Sequence, residues 1–218
     1  MKSLFLAFFA CLSFAANAMV VLDFEGPLPL GLVPTSFGQG SYVPVASIVT
    51  DQFISLGVEI SGAALVAAGR GHSASGTNSL AGIDSNGNID YDVPVTFSFF
   101  GDFGSTVGTT DYFAYSADLG GGSQNLITLS AFAVDGSLLG QVQYVEISTF
   151  RAPLFISGLG QFHSVTIDQT LYDTSSGGIA IDLVTFGDVI NVPEPSSLVL
   201  FAVGLVGLFC SMSRRVSS

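Results

Sequence analysis

The chain predicts an all-β fold: a two-sheet antiparallel β-sandwich of jelly-roll form, flanked by an N-terminal signal peptide and a C-terminal transmembrane helix. Three observations predict the sandwich. Residues 19–190 hold short runs of Val, Ile, Phe, Thr and Ser in which apolar and polar side chains alternate, the period of a half-buried strand. Glycine, at 26 of 218 residues, stands with asparagine and aspartate between the runs, where turns need them. No stretch there has the apolar spacing of a long amphipathic helix. About eight to ten such strands close best as two packed sheets, and the fixed repeat of a β-solenoid is absent.

The elements follow in order. Val20, Leu22 and Phe24 alternate with Val21, Asp23 and Glu25 in a first strand. Val58 and Ile60 mark another. "GTNSLAGIDSNGNIDYDVPVTFSFFG" reads as two strands joined at Asn86-Gly87, where a type I′ turn would put both residues at positive φ. "DYFAYSAD" is a strand. "NLITLSAFAVDGSLLGQVQYVEI" is a hairpin turning at Asp135-Gly136. "FHSVTIDQ" and "GIAIDLVTFGDV" complete the set.

The two ends differ from this body. Lys2, the apolar stretch Leu4 to Phe14, and small residues at Ala16 and Ala18 make a signal peptide, residues 1–18, cut by signal peptidase after Ala18. A lipoprotein with Cys11 acylated is the alternative. Ser196 to Ser213 would measure about 27 Å as a helix, close to a bilayer core of roughly 30 Å. Arg214 and Arg215, opening the basic tail 214–218, would stay in the cytoplasm. Pro193 and Pro195, in the linker 191–195, keep the chain extended ahead of that helix.

Charge narrows the partners. Between Met19 and Pro195, Arg70 and Arg151 face all 17 acids, two positive charges against seventeen negative, a net −15. That field repels phosphate backbones and excludes nucleic-acid binding. Cys11 and Cys210, the two cysteines, lie in the terminal segments, so the body offers no disulfide, thiol nucleophile or zinc-thiolate site.

Reactive constellations are scarce. The histidines are His72, in a loop, and His163, in a strand. "GHSAS" puts Ser75 where a nucleophile elbow needs its second glycine. There is no P-loop, no dinucleotide fingerprint and no H-E-x-x-H. We therefore expect no catalysis, although two of the seventeen acids could flank a glycosidic bond in a polysaccharide-active enzyme. A structural coat protein without any site is a further alternative. Asp84, Asn86, Asn88 and Asp90 are spaced like the start of an EF-hand loop, but Ile89 stands where glycine is needed and Val95 where the bidentate glutamate belongs. A hairpin turn explains the same residues. With no tryptophan in the chain, a sugar ring would have to stack on tyrosine or phenylalanine; Tyr91, Tyr112, Tyr115, Tyr144 and Tyr172 are available, and Tyr91, Tyr112 and Tyr115 are the candidates.

Two resemblances add expectations. "LDFEG", "GVEISG", "GHSASGTNSLAG" and "IAIDLVTFGDV" together resemble jelly rolls of the galactose-binding-like and carbohydrate-binding-module type. That resemblance implies a structural calcium between the first and last strands, held by Asp23, Glu25 and Asp182, and a polysaccharide ligand. "VPEPSS", the apolar run and "RR", Val192 to Arg215, look like the PEP-CTERM sorting signal of exopolysaccharide-producing Gram-negative bacteria. The segment is also labelled ice-binding protein C-terminal domain, which is a label and not an activity. This resemblance implies that an exosortase reads Pro193, Glu194 and Pro195, with Arg214 and Arg215 closing the signal. The body would be the passenger: anchored in the inner membrane until processed, then at the cell surface or in the exopolysaccharide matrix.

Overall fold

A computed structural model of the chain describes residues 19–36, 38–69, 73–100, 109–118, 125–146, 152–171 and 179–187. The signal-peptide residues Ala16 and Ala18, the motif Pro193, Glu194 and Pro195, the helix 196–213, and Arg214 and Arg215 lie outside the described residues, as does His72. No helix among the described residues is long and apolar enough to cross a membrane. Met19–Asp188 forms a compact unit by itself.

The unit is all-β, with two sheets and only two short 3-10 turns among its described residues. The strands are β1 (Val20–Leu22), β2 (Thr35–Ser36), β3 (Ile48–Val49), β4 (Val58–Ser61), β5 (Ala63–Ala67), β6 (Asn78–Gly82), β7 (Val95–Phe99) and β8 (Thr109–Asp118). They continue with β9 (Asn125–Phe132), β10 (Leu138–Glu146), β11 (Ala152–Phe162), β12 (Ser164–Leu171) and β13 (Ile179–Gly187). One sheet runs β11-β8-β13-β6-β5-β2, with β1 on β13 and β3 on β5; the other runs β10-β9-β12-β7-β4. Every pairing is antiparallel except β2 with β5.

Alternation builds the core. In β7, Val95, Phe97 and Phe99 are buried while Thr96 and Ser98 are not. Their partners across the layer include Tyr112, Phe162 and Phe186, whose rings meet Phe97 and Phe99 at centroid distances of 5.0–6.3 Å. Such tilted and edge-on pairs add roughly 0.5–1.5 kcal/mol each beyond the area they bury. Residues of both sheets thus share one cluster, the interior of a sandwich.

The sheet differs from expectation in two places. β6 and β7 do not form a hairpin: they lie in different sheets. After β6 the chain doubles back across Gly82, where a Cβ would strike the main-chain oxygens of Asp90 and Val93. It then passes Pro94 into the second layer. The turn at Asn86-Gly87 is not type I′ either. Only Gly87 has positive φ, +80°; its N–H bonds Asp84 O at 3.0 Å and Asp84 N–H bonds Asn88 O at 2.8 Å. This is a type I turn followed by a left-handed glycine. The hairpin at Asp135-Gly136 repeats it, with Gly136 at φ +79° and the matching bonds Gly136 N–H to Ala133 O and Ala133 N–H to Ser137 O.

Candidate functional site: the outer face of the larger sheet

The first strand leaves the sheet on a strained residue. Phe24 has φ +56°, in the left-handed region that a bulky side chain rarely enters. Its ring is buried, edge-on to Phe53 at 5.7 Å. Asp23 and Glu25 flank it and do different work. Asp23 Oδ1 accepts from the N–H groups of Glu25 and Gly26, closing the local turn. Glu25 reaches across to the start of β6. Its Oε1 accepts the N–H groups of Thr77 and Asn78, and its Oε2 faces Thr77 Oγ1 and Asn78 Nδ2, each at 3.3 Å. Four donors fill that carboxylate.

The only other non-glycine residue with positive φ among the described residues is Leu183, at +48°. It sits in a bulge of β13, where the register with β8 shifts between Asp182 and Thr185. Bulges re-aim side chains, and here the re-aimed residue is Asp182, 1% exposed. Its Oδ2 accepts from Ser73 Oγ at 2.7 Å and Ser75 N–H at 2.7 Å, and its Oδ1 from Leu183 N–H at 2.6 Å. Ser75 Oγ lies 2.9 and 3.1 Å from the two carboxylate oxygens and 2.6 Å from Asp23 O. A hydroxyl has one proton, so it satisfies one of those three oxygens and leaves the others facing its lone pairs. Among the described residues there is no lysine or arginine to neutralise Asp182.

A carboxylate, a carbonyl and a hydroxyl, donor types that a hard cation takes, lie together here, and the carboxylate also accepts Ser73 Oγ, Ser75 N–H and Leu183 N–H. The set differs from the three acids expected. No group of three His, Cys, Asp or Glu side chains comes together among the described residues. Asp23 would contribute its main-chain oxygen, and Glu25 is occupied as a clamp.

The EF-hand-like acids resolve as turn chemistry. Asp84 Oδ1 accepts the N–H groups of Asn86 and Asn88, both at 2.8 Å, and Oδ2 accepts their side-chain amides. Those bonds hold the Asp84 carboxyl below its ordinary range, the bond from Asn88 N–H first among them. Asp90 is tied to Gln39 Nε2 at 3.2 Å.

The tyrosines divide by face. Tyr112 is fully buried between the sheets, and Tyr91 is buried in a second cluster with Val43, Ala64, Val66, Ala81 and Ile89. Neither can offer its ring to a sugar, which corrects that expectation for Tyr91 and Tyr112. Burial pushes both phenols well up from the ordinary tyrosine value. Tyr115 does point outward. Along β8, Asp111, Phe113 and Tyr115 alternate with buried Tyr112, Ala114 and Ser116. Phe113 meets Tyr115 at 4.9 Å and 86°, and meets Phe155 of β11 at 6.4 Å and 60°. Phe155 is 47% exposed. Cross-strand pairing extends the row from Phe155 and Phe113 to Thr185 and Val21. Tyr115 pairs in register with Asp182, so the aromatic strip adjoins the Asp182 knot.

Phe113 and Phe155 were not among the residues expected to stack on a sugar. The signal was present in "DYFAYSAD": residues 112 and 115 differ in parity, so they cannot share a face. His163 forms the one-residue corner between β11 and β12, edge-on to Phe100 at 5.9 Å.

Residues 191–215 match the PEP-CTERM protein-sorting motif. This chain carries an exosortase sorting signal. The motif marks an exported protein handed to a membrane-anchored sorting step, with Pro193, Glu194, Pro195, Arg214 and Arg215 inside the matched segment. No curated protein matches the chain. Among solved structures it is similar to a DUF4465 family protein from Bacteroides caccae, at 8% identity over 77% of this chain and 98% of that one, TM-score 0.46. It is also similar to the family 11 carbohydrate-binding module of the Clostridium thermocellum cellulase Lic26A-Cel5E, at 13% identity over 80% and 96%, TM-score 0.32. A third is the CBM22-1–GH10 part of xylanase 10B from Clostridium thermocellum, at 12% identity over 79% of this chain and 28% of that one, TM-score 0.36.

Proposed function

We propose that this PEP-CTERM protein is a non-enzymatic surface protein that binds a neutral polysaccharide of the extracellular matrix through the outer face of its larger sheet. The observation that carries the proposal is the strip of exposed Phe155 and half-buried Phe113 and Tyr115 on the outer face of the larger sheet. The apolar face of a pyranose stacks on such a ring. The interplanar angles of 86° and 60° prevent the three rings from making one flat platform. One ring at a time can meet a sugar, which suits a single soluble chain and not the flat surface of a crystalline polymer. The net −14 of residues 19–190, sixteen acids against Arg70 and Arg151, favours neutral polymers over uronic-acid polymers.

Non-enzymatic action is supported by how the best-placed acids are used. Glu25 is filled by four donors, and Asp182 is buried under the serine loop. A structural calcium belongs to the same proposal. Asp182, Ser75 Oγ and the Asp23 carbonyl would hold it, fastening the end of β1 and the loop at 73–77 to β13. It would supply charge neutralisation and rigidity beside the strip, and no chemistry.

Affinity electrophoresis through neutral and uronic-acid polysaccharides tests the reading. Retardation by a neutral polymer, lost in Tyr115→Ala and Phe113→Ala with melting unchanged, is expected. Equal mobility of wild type and both variants in every polymer contradicts it.

A further inference from the structure

β11 is an edge of the larger sheet and β10 an edge of the smaller one. Two contacts join these edges across the sandwich. Tyr144 of β10 is half-buried, its ring packed against the main core. Its hydroxyl donates to Phe155 O at 2.6 Å and accepts from Phe155 N–H at 2.8 Å. Further back along β10, Gly140 leaves room for Leu159: a Cβ there would strike Leu159 Cδ1 at 2.7 Å. Both contacts keep one antiparallel step, from Tyr144 to Gly140 on β10 and from Phe155 to Leu159 on β11. The two edges therefore run side by side along one seam.

Phe155 depends on that seam more than its neighbours do. Both its peptide groups turn to Tyr144 and away from β8, so Phe155 and Phe113 are a non-hydrogen-bonded pair. Its flanks are weak. Pro153 precedes it and has no N–H to give. Beyond Ser157 the register with β8 breaks, and Gly158 and Gly160 take positive φ. Since the rotamers open to a side chain follow from its φ and ψ, whatever fixes the Phe155 main chain also aims its exposed ring.

We propose that Tyr144 is a positioning residue for the polysaccharide face: its hydroxyl fixes the Phe155 main chain and so sets how the Phe155 ring meets a sugar. The inference rests on the reading of that face as a site for neutral polysaccharide. A phenol suits the task, because the core holds its ring and one hydroxyl can both donate and accept. A ring ordered before binding loses less freedom on stacking, so the hydroxyl raises affinity while its own bonds are spent on Phe155.

A double-mutant cycle read by affinity electrophoresis tests this. The full chain, in an uncharged polyoxyethylene detergent, is run through soluble neutral glucan, galactan and mannan. In the polymer that retards wild type most, Phe155→Ala and Tyr144→Phe each weaken binding at least about threefold, the loss of one stacked ring. The double variant binds within about twofold of Phe155→Ala, whereas Tyr115→Ala weakens wild type and Tyr144→Phe by the same factor. A general loosening of the fold would not single out Phe155. Losses that multiply in the double variant, or either single variant binding like wild type, overturn the proposal and leave the binding face standing if Tyr115→Ala still weakens binding. Wild type that no polymer retards overturns the binding face and this proposal with it. Amide exchange in the wild type decides the case in which Tyr144→Phe does not fold. The Phe155 amide exchanges at least about tenfold more slowly than an open edge amide; exchange at the open rate overturns the proposal.

Discussion

Asp182 is buried, negatively charged and surrounded by hydroxyls and N–H groups with no cationic side chain among the described residues. Replacing it leaves Ser73 Oγ, Ser75 N–H and Leu183 N–H without their acceptor. Asp182→Ala should cost about 3 kcal/mol on the scale of a broken buried polar network. Melting curves should show the loss to be larger in calcium than in chelator. Equal losses in the two would remove the ion and keep the network. Tyr112 gives the opposite sign. Its hydroxyl is buried without a hydrogen-bond partner, so Tyr112→Phe should raise stability by roughly 1 kcal/mol. A fall in melting temperature would contradict this. Tyr91 and Tyr112 have folded pKa values raised by burial. Their contribution to stability is complete below the unfolded tyrosine pKa and is lost as pH rises through the folded values. Of the 6 tyrosines, these two should show phenolate absorbance only when the chain unfolds in alkali.

At the scale of elements, what alternation marks was legible and what double burial hides was not. β7, β8, the β9–β10 hairpin, β12 and β13 follow directly from apolar–polar alternation and from Asp-Gly in the turn. β5, AALVA, reads as a featureless alanine run because Ala63 and Leu65 face the main core while Ala64 and Val66 face the second cluster. No polar side chain remains to beat the period. β11 was hidden by Pro153, Gly158 and Gly160, which read as loop residues but are tolerated at a sheet edge. Of the candidate site, Asp23, Glu25 and Asp182 were legible as acids of the first and last strands. The serine loop that joins two of them was not, because sequence does not show that a bulge at Leu183 turns Asp182 under it. The chain crossing at Gly82 sets a test at this scale. Gly82→Ala should destabilise by roughly 2 kcal/mol or more, since main-chain oxygens must move. Gly136→Ala meets open space and should cost only the strain of φ +79°, about 1 kcal/mol.

The whole molecule joins a sorting address to the face proposed to bind polysaccharide. The PEP-CTERM motif occupies residues 191–215 and the sandwich unit is Met19–Asp188, so the two are adjacent segments of the chain. Fusing residues 190–218 to a periplasmic reporter should give a loss of mass that depends on an exosortase; an unchanged mass would reduce the tail to an anchor. The central claim is that the passenger binds matrix polysaccharide with Tyr115, Phe113 and Phe155. The most direct measurement is binding of purified residues 19–190 to a panel of bacterial exopolysaccharides, in calcium and in chelator, beside the Tyr115→Ala variant. Binding to a neutral polymer, weakened at least about tenfold by Tyr115→Ala, as the loss of a stacked ring implies, is the predicted result. A folded protein that binds no polymer, or binds equally well without Tyr115, would contradict it.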